Sequence, residues 1–138
     1  MEDHKMRNYL KKVLENMPTD WLNLTTHRLD IYNEKYAKTE FLEQFEDLYK
    51  NMNSDTVELN ELPTAYDYIR LGHPVSCVLE WAIAHSYRIK PENTISFSSK
   101  TIAILAILRK NLLDHKNTQI VYTGQFPAVF DAEFIKRV

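Results

Sequence analysis

Near the start of the chain, apolar residues recur at spacings of three and four. Met6, Leu10, Val13, Leu14 and Met17 fall along one side of a predicted helix, the signature of an amphipathic element. Pro18 ends that run, because its ring cannot continue the hydrogen-bond ladder. Trp21, Leu22, Leu24, Leu29 and Ile31 follow with looser spacing and are read as further helix. Thr39 is the expected N-cap of the next helix, with Glu40 in its first turn, where a negative charge suits the dipole. Phe41, Leu42, Phe45, Leu48, Tyr49 and Met52 then form one broad apolar face. Packing of helix on helix accounts for all these stripes.

The pattern changes at residues 53–65. Asn53-Ser54-Asp55 and Leu62-Pro63-Thr64 are turn chemistry, with too few apolar residues between them for a packed element. This stretch is read as a seam between an N-terminal helical region, 1–60, and a second region, 61–138. Pro74 is placed to open a helix as its first residue, with Val75, Val78, Leu79, Ala82 and Ile83 facing inward. Thr94 to Ser98 alternates polar and apolar, as a short strand does. A helix through Ile102, Leu105, Ala106, Leu108 and Leu112 follows, then a second strand from Gln119 to Thr123, stopped by Gly124. A last helix is expected over 129–138. The expected fold class is therefore α/β and helix-rich: N-terminal helices, then a β-α-β-α layer with parallel strands.

Composition narrows the function. With 138 residues and 44% hydrophobic content, the chain can bury a core. Its formal net charge of −2 supplies no basic field for nucleic acid or an anionic membrane. Residues 1–60 carry 8 Lys/Arg against 12 Asp/Glu, and residues 61–138 carry 9 against 7. The charged start, Met1-Glu2-Asp3-His4-Lys5, is unlike a signal peptide, and the longest apolar stretch, Ile102 to Leu108, is too short to span a bilayer. The single cysteine, Cys77, allows no internal disulfide and fits a reducing, cytoplasmic setting. Only Gly72 and Gly124 occur, so no glycine-rich nucleotide loop can be built. The five histidines form no ligand-spaced pair, no hydrolase elbow is present, and Cys77 is expected simply to pack.

Two places offer anion chemistry. In Tyr66 to Pro74, Tyr68 and Arg70 stand two residues apart, so on an extended segment they share a face. Arg70 brings a planar donor fork and Tyr68 a phenolic donor, suited together to a phosphate. The plainer account is a solvated loop arginine beside a packed tyrosine. The second place is Ser98-Ser99-Lys100-Thr101, where free backbone N–H groups and the helix dipole favour a phosphate. Here the plainer account is helix capping by Ser98 or Ser99.

The segment Tyr68-x-Arg70-x-Gly72-His73-Pro74, with Leu79-Glu80 and Ile83-Ala84 after it, resembles the Y-x-R-x-G-N-P-T…LE…A region of the Cys/Met-metabolism pyridoxal-phosphate (PLP) enzymes. That family includes cystathionine γ-synthase and methionine γ-lyase and has the aspartate-aminotransferase fold. Phe97 to Ile104 is similar to the family's S-G-M-x-A-I stretch, and Ile120-Val121-Tyr122 to the strand before its cofactor-stacking aromatic. The resemblance covers about residues 64–138. It implies the opening of a fold type I large domain, in a lyase or transferase acting on amino acids. It also implies a homodimer or a longer chain, in which Tyr68 and Arg70 reach a neighbouring subunit's cofactor phosphate and Ser99, Lys100 and Thr101 hold the chain's own. Several positions depart from the pattern. Lys100 replaces the turn glycine, His73 the asparagine, and Phe126-Pro127 stands about one residue away from the stacking aromatic. The Schiff-base lysine falls after residue 138 in that alignment, so no catalytic residue is assigned within the chain, and Val138 closes the last expected helix without a capping glycine.

Two expectations follow. One is a PLP-enzyme segment or shortened relative that supplies cofactor-phosphate contacts without the Schiff-base lysine. The other is a non-enzymatic module whose helices present a protein-binding face.

Overall fold

The computed structural model describes residues 2–22, 36–63, 73–121, 123–125 and 133. They hold five α-helices: α1 (Glu2–Asn16), α2 (Phe41–Lys50), α3 (Thr56–Glu61), α4 (Pro74–Tyr87) and α5 (Lys100–Leu113). A 3-10 turn at Thr19–Leu22, a π-helical turn at Tyr36–Glu40 leading directly into α2, and a 3-10 turn at Pro91–Asn93 complete the regular structure. The chain divides into two compact units, residues 1–95 and 96–138.

The first unit holds the core. In α1 the buried side is Met6, Tyr9 and Val13, at spacings of three and four. Tyr9 takes the place expected for Leu14, which is 55% exposed. The reason is polar: the Tyr9 hydroxyl donates to the Asn53 carbonyl at 2.9 Å, while Asn16 Nδ2 donates to the Ser54 carbonyl at 2.9 Å. These two bonds fasten α1 to the turn before α3. From α2 come Phe41, Leu42, Phe45 and Tyr49, as expected, with Leu48 partly covered and Met52 at the rim. The rings run in a connected column. Trp21 meets Phe41 at 5.7 Å, Phe41 stacks on Phe45 at 6.0 Å, and Phe45 and Tyr49 meet Trp81 edge-on at 5.2 and 4.9 Å. Aromatic pairs of this kind add about 0.5–1.5 kcal/mol each beyond the area they bury.

Several expectations are corrected. No strand occurs among the described residues, so the β-α-β-α layer is overturned and this part of the fold is all-α. At Thr94 the backbone groups that a ladder needs are already taken. The Thr94 amide donates to the Pro91 carbonyl at 3.0 Å, and its own carbonyl accepts from Lys38 Nζ at 2.6 Å. Burial is also the reverse of an inward apolar row, since Thr94 is covered while Ile95 is 67% exposed. Gln119, Ile120, Val121 and Thr123 are exposed, with no strand among the described residues to pair with, and an isolated strand is not stable in water. Residues 53–65 do contain a packed element. The Asp55 amide donates to Asn53 Oδ1 at 3.0 Å, starting α3, whose Leu59 and following Leu62 are buried. Thr39 does not cap α2, because the π-turn carries the backbone straight through it.

In α4, Pro74 is the first residue, as expected. Its buried side, however, centres on Cys77, Trp81 and Ala84, whereas Leu79, one of the expected inward residues, is half exposed. Cys77 packs, as expected, with its side chain fully covered. The last helix expected at 129–138 lies outside the described residues, apart from helical Glu133.

One ion pair clamps this unit together. Lys38 Nζ lies 2.6 Å from Glu80 Oε2, and the Glu80 side chain is only 8% exposed. With its bond to the Thr94 carbonyl, Lys38 joins the π-turn, α4 and the chain after α4 at one point. Removing one partner of a buried pair costs about 3–5 kcal/mol, whereas exchanging both for apolar groups is often neutral. Lys38→Met is accordingly expected to lower stability by about 3 kcal/mol. Lys38→Met/Glu80→Leu is expected to regain most of that loss, as urea denaturation of the four members of the cycle will show.

Candidate functional site

The sequence places anion chemistry at Tyr68, Arg70, Ser99, Lys100 and Thr101. Tyr68 and Arg70 lie outside the described residues. Ser99 is the N-cap of α5: its Oγ accepts the Ile102 amide at 3.2 Å. This is the capping role weighed for it, and it employs the hydroxyl oxygen on the helix itself. Lys100 is the first residue of α5 and exposed, and Thr101 is half-buried beside it. His73, in the resembling segment, caps α4 by position, and its Nε2 is buried without a hydrogen-bond partner.

A different group of residues converges at the edge of the core. Trp81 is wholly buried and four residues before His85, so both point from one side of α4. The Trp81 indole donates to Glu46 Oε2 of α2 at 2.7 Å. His85 Nε2 lies 3.6 Å from the same oxygen, close enough for an ion pair when the imidazole is protonated. The His85 ring also sits 4.7 Å from Trp81 and 5.3 Å from Tyr49. Lys5 Nζ stands 5.3 Å from the centre of the Tyr49 ring, a cation–π contact from α1. Glu46 is thus a carboxylate held by one oxygen, with a third of its side chain exposed.

That carboxylate opens onto a cleft of about 1000 Å³. Asp3 and Met6 of α1 and Glu46 of α2 line it, together with Ala84, His85 and Ser86 at the end of α4 and the following Arg88 to Pro91. The chain turns there through Arg88, whose φ of 54° is left-handed. Its amide donates to the His85 carbonyl at 3.3 Å and the Ile89 amide to Ala84 at 3.0 Å, the paired bonds of a Schellman ending. Met52 after α2 and His115 after α5 make the same paired bonds at φ of 53° and 55°. A smaller recess of about 210 Å³ shares Glu46 and Pro91 with the cleft.

The Ser86 hydroxyl, nearest in sequence to His85, donates to the Ala82 carbonyl at 3.0 Å, within its own helix. The Cys77 thiol is pushed up to about 12, first by burial and then by the Glu80 carboxylate, with Lys38 opposing, so its reactive thiolate is suppressed. Among the described residues no three His, Cys, Asp or Glu side chains gather as a metal site, and no helix is long and apolar enough to cross a membrane. Comparison with protein-family models, curated proteins and solved structures returns no match.

The sequence reading missed this cluster. In the sequence, Trp81 and His85 are four residues apart and Glu46 follows Phe45 of the apolar face of α2. No short motif joins the two helices.

A stability prediction follows from the buried acids. Burial, reinforced by Glu46, also raises the Tyr9 phenol above its ordinary range. Groups whose folded pKa is raised hold their full stabilising effect below the unfolded value and lose it as pH rises towards the folded one. Stability is therefore expected to fall as pH climbs above about 9, where unfolded cysteine and then tyrosine begin to ionise. In Cys77→Ala the onset should move upward in pH, and native wild type should resist a thiol reagent until denatured. Urea midpoints between pH 7 and 11 check the first point, and timed thiol labelling the second.

Proposed function

We propose that this chain is a non-enzymatic helical protein-interaction module whose docking element is α5. The observation that carries the reading is the character of that helix. Ile102 to Leu108 is an unbroken apolar run, Leu112 and Leu113 follow, and no residue of α5 is buried. A helix that is apolar on every side is ordinarily covered on every side. At 14 residues α5 is about 21 Å long, enough to fill a groove between helices. Its only charged residues, Lys100, Arg109 and Lys110, are basic, and Lys110 is paired with Asp114 just beyond its end. The first partner to consider is a second copy of the chain. Exchange of helices between copies covers apolar surface on both sides at once.

Two findings support this reading over the PLP one. Ser99, in the middle of the expected phosphate turn, gives its hydroxyl oxygen to the α5 backbone. The α/β layer that presents such a turn is absent among the described residues, where neither expected strand forms. A cytoplasmic setting belongs to the same proposal, since the one thiol is buried and unpaired.

Sedimentation equilibrium tests the docking role. Wild type is expected to associate with rising concentration. Ile107→Glu/Leu112→Glu should be monomeric, with the thermal transition of the first unit unchanged, because both positions are exposed. A wild type that stays monomeric at millimolar concentration overturns the self-association. Millimolar pyridoxal phosphate is expected to leave the melting temperature unchanged; a saturable rise that disappears in Arg70→Ala would restore the cofactor reading.

A further inference from the structure

The cleft beside α4 has walls of opposite charge. Its acidic groups, Asp3 and Glu46, come from α1 and α2, and its basic ones, Arg88 and Lys90, from the chain leaving α4. Opposite charges on facing elements ordinarily pair, yet these do not. Among the described residues the side chains of Asp3 and Arg88 make no hydrogen bond or ion pair, and Lys90 Nζ reaches Glu92, at 3.8 Å and outside the cleft lining. Glu46 directs Oε2 to Trp81 and His85, which leaves Oε1 for another donor. Between the walls lie the apolar surfaces of Ile89 and Pro91, with the buried Met6 and Ala84 also in the lining.

We propose that this cleft binds a short peptide carrying both a free amino and a free carboxyl terminus. The ammonium meets Asp3 and Glu46 Oε1, the carboxylate meets the Arg88 guanidinium, and the apolar floor takes the side chains between. Three features of the site fit that ligand. A guanidinium receives a carboxylate through two parallel hydrogen bonds. The volume of about 1000 Å³ exceeds the need of a single amino acid and accommodates several residues. A ligand bearing only one sign of charge leaves one wall unmatched, and the desolvated wall then opposes binding. The positive φ at residue 88 sets the direction in which the Arg88 side chain leaves the backbone. This proposal does not depend on the docking role proposed for α5.

The test is nitrogen-15 NMR titration of the intact chain with a randomised tetrapeptide library bearing free termini. Saturable shifts are expected at the Trp81 indole N–H, which reports on Glu46, and at the amides of Arg88 to Lys90. Libraries acetylated at the amino end or amidated at the carboxyl end should bind about tenfold more weakly. In Arg88→Asn, amidation should no longer matter, while acetylation still should. Asparagine tolerates the left-handed backbone, so that variant keeps the turn. Asp3→Asn should reduce the effect of acetylation and leave that of amidation in place. The proposal is overturned if the free-ended library gives no saturable shift at millimolar concentration. Equal binding of the capped libraries, or charge variants that leave both capping effects unchanged, overturns it as well.

Discussion

The first unit is organised around one buried indole. Trp81 is fully enclosed, and an indole N–H without an acceptor in such a place costs a few kcal/mol. Glu46 removes that cost with a charge-assisted bond of 2.7 Å. The solution constrains the rest. Glu46 can serve Trp81 only if α2 and α4 lie side by side, which brings Phe45 and Tyr49 edge-on to the indole. Because a carboxylate is expensive to bury, Glu46 stays at the rim and part of it faces water. The cleft therefore opens where the hydrogen bond to the core is made.

The helices were the legible part of the fold. Spacings of three and four on α1 and α2, the break at Pro18 and the proline start of α4 follow from local geometry, and the structure contains all of them. Polar anchoring was less legible. Tyr9 displaces Leu14 from the core because its hydroxyl finds the Asn53 carbonyl 44 residues away, a partner that no period along α1 can reveal. The strands failed for a related reason. Alternation in Thr94 to Ser98 is a statement about faces, but a strand also needs free backbone groups and a neighbour. The turn at Pro91–Asn93 and Lys38 take those of Thr94 first.

Of the candidate site residues, Ser99 was legible only in its capping role, since a serine before an apolar helix serves the helix or an anion by the same chemistry. The cluster at Glu46, Trp81 and His85 draws on two helices 35 residues apart in sequence. Its members look like ordinary helix surface until the two helices are placed together. Shortage of glycine hides the helix ends as well. With only two glycines in the chain, three helices finish through Met52, Arg88 and His115 in the left-handed region. Each such residue costs about 1–2 kcal/mol relative to glycine, so the endings are held by the paired backbone bonds that follow them. At Arg88 this places a charged side chain where a glycine would have left none.

The two units bury apolar surface to different degrees. In the first, Trp81, Tyr9, Phe41, Phe45 and Leu59 are almost wholly removed from water, and burial of a large side chain contributes about 1.5–3 kcal/mol. In the second, Ile102, Ile107, Leu112 and Leu113 remain between about half and three-quarters exposed. Isolated helices of this length are marginal in water, and apolar side chains left exposed return little of the entropy lost on ordering them. The Ser99 cap and the Asp114 pairs with Lys110 and Lys116 support the ends of α5, but neither covers its sides. Burial that the helix does not obtain among its own residues is available from a partner, and the free energy of docking is then largely that of completing a core.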